Sequence, residues 1–166
     1  MESHSITSSV IQILVLLLCS AFFSATETAF TSLNRIRIKN KADAGNPSAK
    51  RVLALEQNYD NLLSTILVGN NLVNIASTAV ATVLFMNLYG QYGATISTIV
   101  TTVTVLIFGE ITPKSLAKEH PETFASFAAP VINLLRIILT PINWIFAQWK
   151  KLLSVIFKTE VVPSIT

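Results

Sequence analysis

Between Asp60 and Glu110 the chain carries no Asp, Glu, Lys or Arg. The run is filled with Ile, Leu, Val, Ala, Thr and Phe, and it exceeds the roughly 20 residues that one bilayer crossing needs. Two crossings fit inside it. The break between them is the uncharged, turn-like run 87–93, whose glycines and tyrosines suit a membrane–water interface. Helices are therefore expected near residues 61–86 and 93–112. An apolar stretch from Val10 to about Phe30 supplies a third, near 8–31. With 51% hydrophobic and 13% charged residues, the composition is that of a membrane protein.

A cleaved secretory signal would need a basic leader, and the residues before Val10 carry only Glu2 and His4. The apolar run also continues past Cys19, so the first helix is read as retained. Cys19 stands alone, which leaves no disulfide framework or cysteine metal site. No Lys or Arg precedes Arg35; then Arg35, Arg37, Lys39, Lys41, Lys50 and Arg51 come together. That loop should be cytoplasmic, with one or two short helices, "GNPSAKRVLALE" giving a turn and then a helical run starting near Pro47. Three crossings then place the N-terminus outside and the C-terminus inside a multi-pass protein of the cell membrane. The formal charge of +3 is a topology signal, and nothing interleaves aromatic and basic residues as nucleic-acid binding would want.

Residues 122–157 are apolar enough for a fourth crossing, but Pro130, Arg136 and Pro141 interrupt them. Arg136 at the centre of a span would cost about 2.5–3.5 kcal/mol. Trp144, Trp149, Lys150 and Lys151 are anchors for a membrane surface, so a kinked helix over about 121–157 is expected along the cytoplasmic leaflet. The fold class is thus an all-α membrane protein. "VVPSIT" reads as a linker.

The spans contain polar groups that hydrocarbon cannot solvate. Ser24, Glu27 and Thr28 share one helix face, with Ser20 a turn above. Asn70 and Asn74 share another, Asn71 lies beside them, and Gly69 allows a second backbone close. In "IFGEITPKS", Pro113 has no amide hydrogen and its ring clashes with the carbonyl four residues back, that of Gly109. A freed carbonyl in a membrane is tolerated where it is buried in protein or lines a wet cavity. With Glu110 beside it, the result is an all-oxygen set of carboxylates, amides, hydroxyls and a carbonyl. Hard cations such as Mg²⁺ or Ca²⁺ take such ligands.

"FFSATETAF", "GNNLVN" and "GEITPKSLA" resemble, in order and spacing, the three signatures of the CNNM/CorC transmembrane domain, a family linked to Mg²⁺ transport. The resemblance covers nearly the whole chain. It implies three membrane helices, short cytoplasmic helices, a belt-like juxtamembrane helix, a homodimer in the lipid bilayer, and cytoplasmic CBS domains that lie beyond residues 1–166. It also implies a Mg²⁺ site open to the cytoplasm and export coupled to Na⁺ influx. Carried over by motif, the metal set is Ser24, Thr26, Glu27, Asn70, Asn71, Asn74, Gly109 and Glu110, with Pro113 and Lys114 as the helix break. Thr26 stands where many relatives have serine, and Ala25 where they often have glycine.

Plainer readings stand beside these. The asparagines can act as interhelical glue, Glu110 and Lys114 are spaced for an ordinary ion pair, and Glu27 can bond a helix end. Thr98, Thr101, Thr102 and Thr104 are expected to bond their own helix and stay outside the site. A non-transporting regulator and a transporter of Na⁺ or other divalent cations are the alternatives. An enzyme is not expected: the spans lack a nucleophile–base pair, a Gly-rich phosphate loop and histidines at ligand spacing.

Overall fold

The computed structural model describes residues 2–157, with side chains from Ser5 onward. The side chains of Glu2 and His4, and the "VVPSIT" end read as a linker, lie outside the described residues. Every regular element among the described residues is helical. The first, α1 (Glu2–Ser32), is the hub, packing closely against four of the later helical segments.

Two helical runs are long and apolar enough to cross a membrane, Ser5–Ser32 and Tyr59–Glu119. The second has 61 residues. Straight, at 1.5 Å per residue, it would reach about 90 Å, roughly three hydrocarbon cores. It folds back instead. Helix α4 (Tyr59–Tyr89) ends at Gly90, a single 3₁₀ turn follows, and α5 (Gly93–Thr104) returns alongside it, with Thr82 and Ser97 hydroxyls 3.5 Å apart. Both glycines are required. Gly90 has φ +64°, where a side chain is strained, and a Cβ on Gly93 would lie 2.5 Å from the Met86 backbone. After α5 the helix continues as a π-helical segment, Val105–Ile111, and then as α6 (Thr112–Glu119).

Two short helices close one end of the bundle. Asn34 caps α2 (Arg35–Asp43) by accepting from the Arg37 amide at 3.1 Å. Asn46 does the same for α3 (Pro47–Gln57) through Ala49, and Pro47 sits in the first turn, where its missing N–H is harmless. Under this cap α1, α3, α4, α6 and α7 share a core built on small residues. Ala25, Ala29, Ala49, Ala117, Ala125, Ala128 and Ala129 let backbones approach, and Phe30, Val52, Leu62, Ile66 and Ile132 fill what remains.

The last third forms two helices, α7 (Pro121–Ile138) and α8 (Thr140–Phe157), bent by 74°. Pro130 lies within α7 without ending it, and the break falls at Leu139 because Pro141 can start a helix but not continue one. The pair is apolar and long enough for a span only when both halves are taken together. Phe127, Leu134, Ile137 and Ile138 on α7, and Trp144, Trp149, Val155 and Ile156 on α8, are exposed. With the exposed Leu, Ile and Val of α1, α4 and α5, they make an outer surface suited to lipid contact.

Candidate functional site

Midway along the bundle, α1, α4 and the π-helical segment meet through polar side chains. Ser20 of α1 donates to Asn70 Oδ1 at 3.4 Å, and Asn70 Nδ2 donates to Glu110 Oε1 at 3.4 Å. Asn74 Nδ2 reaches the same Asn70 oxygen at 3.5 Å. Every one of these bonds sits at the long end of hydrogen-bond geometry. Ser20 and Ser24 are almost fully buried, and neither Ser24 Oγ nor Asn74 Oδ1 has a partner among the described residues. Such buried orphans need an explanation, and loosely spaced oxygens with lone pairs to spare are what a cation requires.

The π-helical segment gives the cluster its third wall. At its end the Thr112 amide donates to the carbonyl of Ile107, five residues back rather than four. Carried one residue on, that register sets the missing amide of Pro113 against the carbonyl of Phe108. The carbonyl left without its donor is therefore that of Phe108, one residue before the Gly109 carbonyl that α spacing would free. Gly109 matters for another reason. It is buried against α1, and a Cβ there would come within 3.0 Å of Ser20 Oγ. Glycine therefore lets the segment close on α1 without pushing Ser20 off Asn70.

Glu110 is half-buried and its other oxygen, Oε2, meets Lys114 Nζ at 3.3 Å. The ion pair expected from their spacing is thus present alongside the contact with Asn70. Glu27 lies on the Ser20–Ser24 face of α1, further along the helix, and its carboxylate has no ion pair or hydrogen bond among the described residues.

Three residues of the expected metal set, Thr26, Glu27 and Asn71, make no hydrogen bond to this cluster among the described residues. Thr26 Oγ1 donates to its own Phe22 carbonyl at 2.6 Å and lines a separate apolar cavity of about 380 Å³ with Phe108, Pro113, Phe124 and Phe127. The helix turns it away from the Ser20 face. Asn71 is exposed on the outer side of α4. Ser20, left out of that set, makes the bond that joins α1 to α4. Its signal was already in the sequence, one turn from Ser24 on the same face. Of the threonines set aside, Thr98 and Thr102 do bond carbonyls of their own helix, and with Thr101 they line a cavity of about 250 Å³ beside Asn74.

No three His, Cys, Asp or Glu gather at metal-binding distance among the described residues. An ion held here would rely on one or two carboxylates and on neutral oxygens. Outside the spans, burial pushes the Glu56 carboxyl above the usual carboxylate range, opposed by the nearby Arg35 guanidinium. Arg35 Nε sits 3.3 Å from Glu56 and its guanidinium stacks over Tyr59, so the pair closes the end of the bundle.

Residues 11–165 match the family model of the cyclin M transmembrane N-terminal domain, CNNM. The UPF0053 inner membrane protein YfjD of Escherichia coli K12 is 41% identical over 147 residues, which cover 87% of this chain and 34% of that protein. A UPF0053 protein of Haemophilus influenzae is 38% identical over 151 residues, covering 91% and 36% respectively. An E. coli K12 protein named polyamine export protein is 29% identical over 172 residues, covering 93% and 38%. The chain thus spans about a third of the length of these relatives.

Proposed function

Because the chain belongs to the CNNM family of membrane proteins, we propose that it is the transport domain of a Mg²⁺ exporter whose cargo passes between α1, α4 and the π-helical segment. The observation that carries this reading is the Ser20–Asn70–Glu110 chain of long hydrogen bonds, flanked by the unpartnered oxygens of Ser24 and Asn74. Mg²⁺ sheds water reluctantly and favours few carboxylates among neutral oxygens. Glu110 supplies the negative charge that offsets dehydration, Asn70 and Asn74 supply amide oxygens, and Ser20 and Ser24 supply hydroxyls. Glu27 offers a second carboxylate on the approach. Lys114 holds Glu110 neutralised until a cation arrives.

In this reading α1, α4 and the run from α5 through α6 each cross the bilayer, with the N-terminus outside and the α2–α3 cap in the cytoplasm. The cap carries Arg35, Arg37, Lys39, Lys41, Lys50 and Arg51, which favours that side. Helices α7 and α8 lie along the cytoplasmic leaflet, and two copies pair in the membrane. The relatives are longer than this chain, and in this scheme the full-length protein carries cytoplasmic CBS domains. Coupling of export to Na⁺ influx completes the scheme.

Calorimetry on the purified protein tests the site. Asn70→Ala and Glu110→Gln should each weaken Mg²⁺ binding about ten-fold or more, as loss of a ligand or its charge demands. Unchanged affinity in both removes the cluster from the ion path. Vesicles should release Mg²⁺ faster against an inward Na⁺ gradient, and indifference to that gradient ends the coupling.

One observation favours a second reading. Lys114 already places an ammonium on Glu110, so the same oxygens suit the protonated amines of a polyamine, the cargo named for one relative. Efflux of spermidine but not Mg²⁺ from the same vesicles selects that reading. A domain that moves neither is a regulator.

A further inference from the structure

The geometry points to a second site, a phosphate-binding cavity between α3 and α7 built by Arg51 and Arg136. Arg136 is the residue that argues most strongly against a fourth span, and the cation path leaves it unused. In α7 its terminal nitrogen Nη2 donates to Asn133 Oδ1 at 2.9 Å, while Nε is buried without a partner among the described residues. Arg51 comes from α3 to line the same cavity, of about 230 Å³, with Leu55, Ala129, Pro130 and Asn133. That volume equals several waters at roughly 30 Å³ each, enough for a phosphate group and part of its hydration.

The balance of charge singles this cavity out. No carboxylate lines it, and neither arginine belongs to an ion pair among the described residues. The acid of α3, Glu56, is taken by Arg35, and the acid of α7, Glu122, is shared by Arg37 at 3.1 Å and Lys41 at 2.6 Å. Both helices have therefore committed their negative charge elsewhere. Two guanidiniums facing one space repel unless an anion lies between them. A phosphate meets this need, because its oxygens accept from two forks at once.

The surroundings suggest where the phosphate comes from. The cavity is shared by α7, which exposes Val131, Leu134, Ile137 and Ile138, and by α3 of the charged α2–α3 cap, so it lies where an apolar surface meets a polar one. A phospholipid headgroup sits at such a boundary, and free phosphate offers the same chemistry.

The test uses the full chain in nanodiscs of phosphatidylcholine with added phosphatidylglycerol, with retained lipid counted by native mass spectrometry. The wild type should keep phosphatidylglycerol over phosphatidylcholine by roughly ten-fold or more. Arg51→Gln with Arg136→Gln should lose that preference, Arg136→Lys should fall between, and Lys39→Gln, an exposed cation outside the cavity, should match the wild type. A parallel titration with inorganic phosphate in pure phosphatidylcholine discs assigns the source: stabilisation by phosphate that vanishes in the double variant selects the soluble ion. Should the double variant fail to fold, Arg51→Gln alone, at an exposed position, still has to lower retention. Equal lipid retention and equal phosphate response in wild type and Arg51→Gln overturn the proposal.

Discussion

Two regions of the bundle, neighbours along α1 and α4, are built on opposite terms. At the capped end, alanines bring α1, α6 and α7 into contact, Leu62 and Ile132 are fully buried, and α2 and α3 are capped by Asn34 and Asn46. Around Ser20, Asn70 and Glu110, the bonds run from 3.4 to 3.5 Å and buried oxygens lack partners. The first arrangement fixes one packing, since any change of volume is felt. The second leaves hydrogen-bonding capacity unused. The rigid end holds the helices in place, so that the loose region can keep unsatisfied groups without collapsing on them.

The contrast can be broken most directly at the capped end. Leu62→Ala should destabilise the protein by about 2–5 kcal/mol, read from thermal unfolding in detergent, with Mg²⁺ affinity little changed in the fraction that remains folded. A loss below about 1 kcal/mol would mean the small-residue core is not what holds the bundle.

In the polar region the effect should come from the ion. Raising Mg²⁺ from chelator-stripped buffer to about 100 times its dissociation constant should stabilise the wild type by about 2.7 kcal/mol and Asn70→Ala at the same concentration by much less. Equal stabilisation of both would place the ion elsewhere.

Gly69 joins the two regions, and substitution there sharpens the comparison. A Cβ at Gly69 would sit 2.4 Å from the buried ring of Phe23, while the next residue, Asn70, reaches Ser20. Gly69→Ala should cost about 1–3 kcal/mol and also weaken cation binding, because it wedges α4 off α1. Adding Phe23→Leu should recover both. Recovery of stability without recovery of binding would show that the regions are independent.

The smallest effect concerns pH. Burial raises the Glu56 carboxyl above the usual carboxylate range, so the folded protein holds this proton more tightly than the unfolded chain does. Stability from this group is present at low pH and falls as pH rises from the ordinary carboxylate value through the raised one. Glu56→Gln should flatten that slope in a series of melting curves. A slope that persists belongs to another group.

The uncharged run between Asp60 and Glu110 made the long helices legible, and the glycines at 90 and 93 marked where the chain turns. The spacing of Ser20, Ser24, Asn70 and Asn74 was enough to predict polar faces that the structure brings together. Thr26 and Asn71 were harder, because a motif names neighbours in sequence while a helix sends neighbours about 100° apart. The π-helical register was invisible for a related reason. Pro113 announces that a bond is missing, yet the sequence does not say whether the chain resolves it by kinking or by absorbing an extra residue. The long separation of Arg51 and Arg136 hid their shared cavity, which depends on how α3 docks on α7.

That absorbed residue acts as a phase offset in a screw. Deleting one position from Val105–Ile111 would restore ordinary winding and leave the downstream faces where they are, whereas straightening the wide turn without a deletion would carry everything downstream round by about 100° and forward by about 1.5 Å. Pro113 and Ala117, now buried, would swing toward lipid, and α7 would lose the seat that leads its chain back to the capped end. The wide turn is therefore an angular setting for the last third of the molecule as much as a wall for the polar cluster.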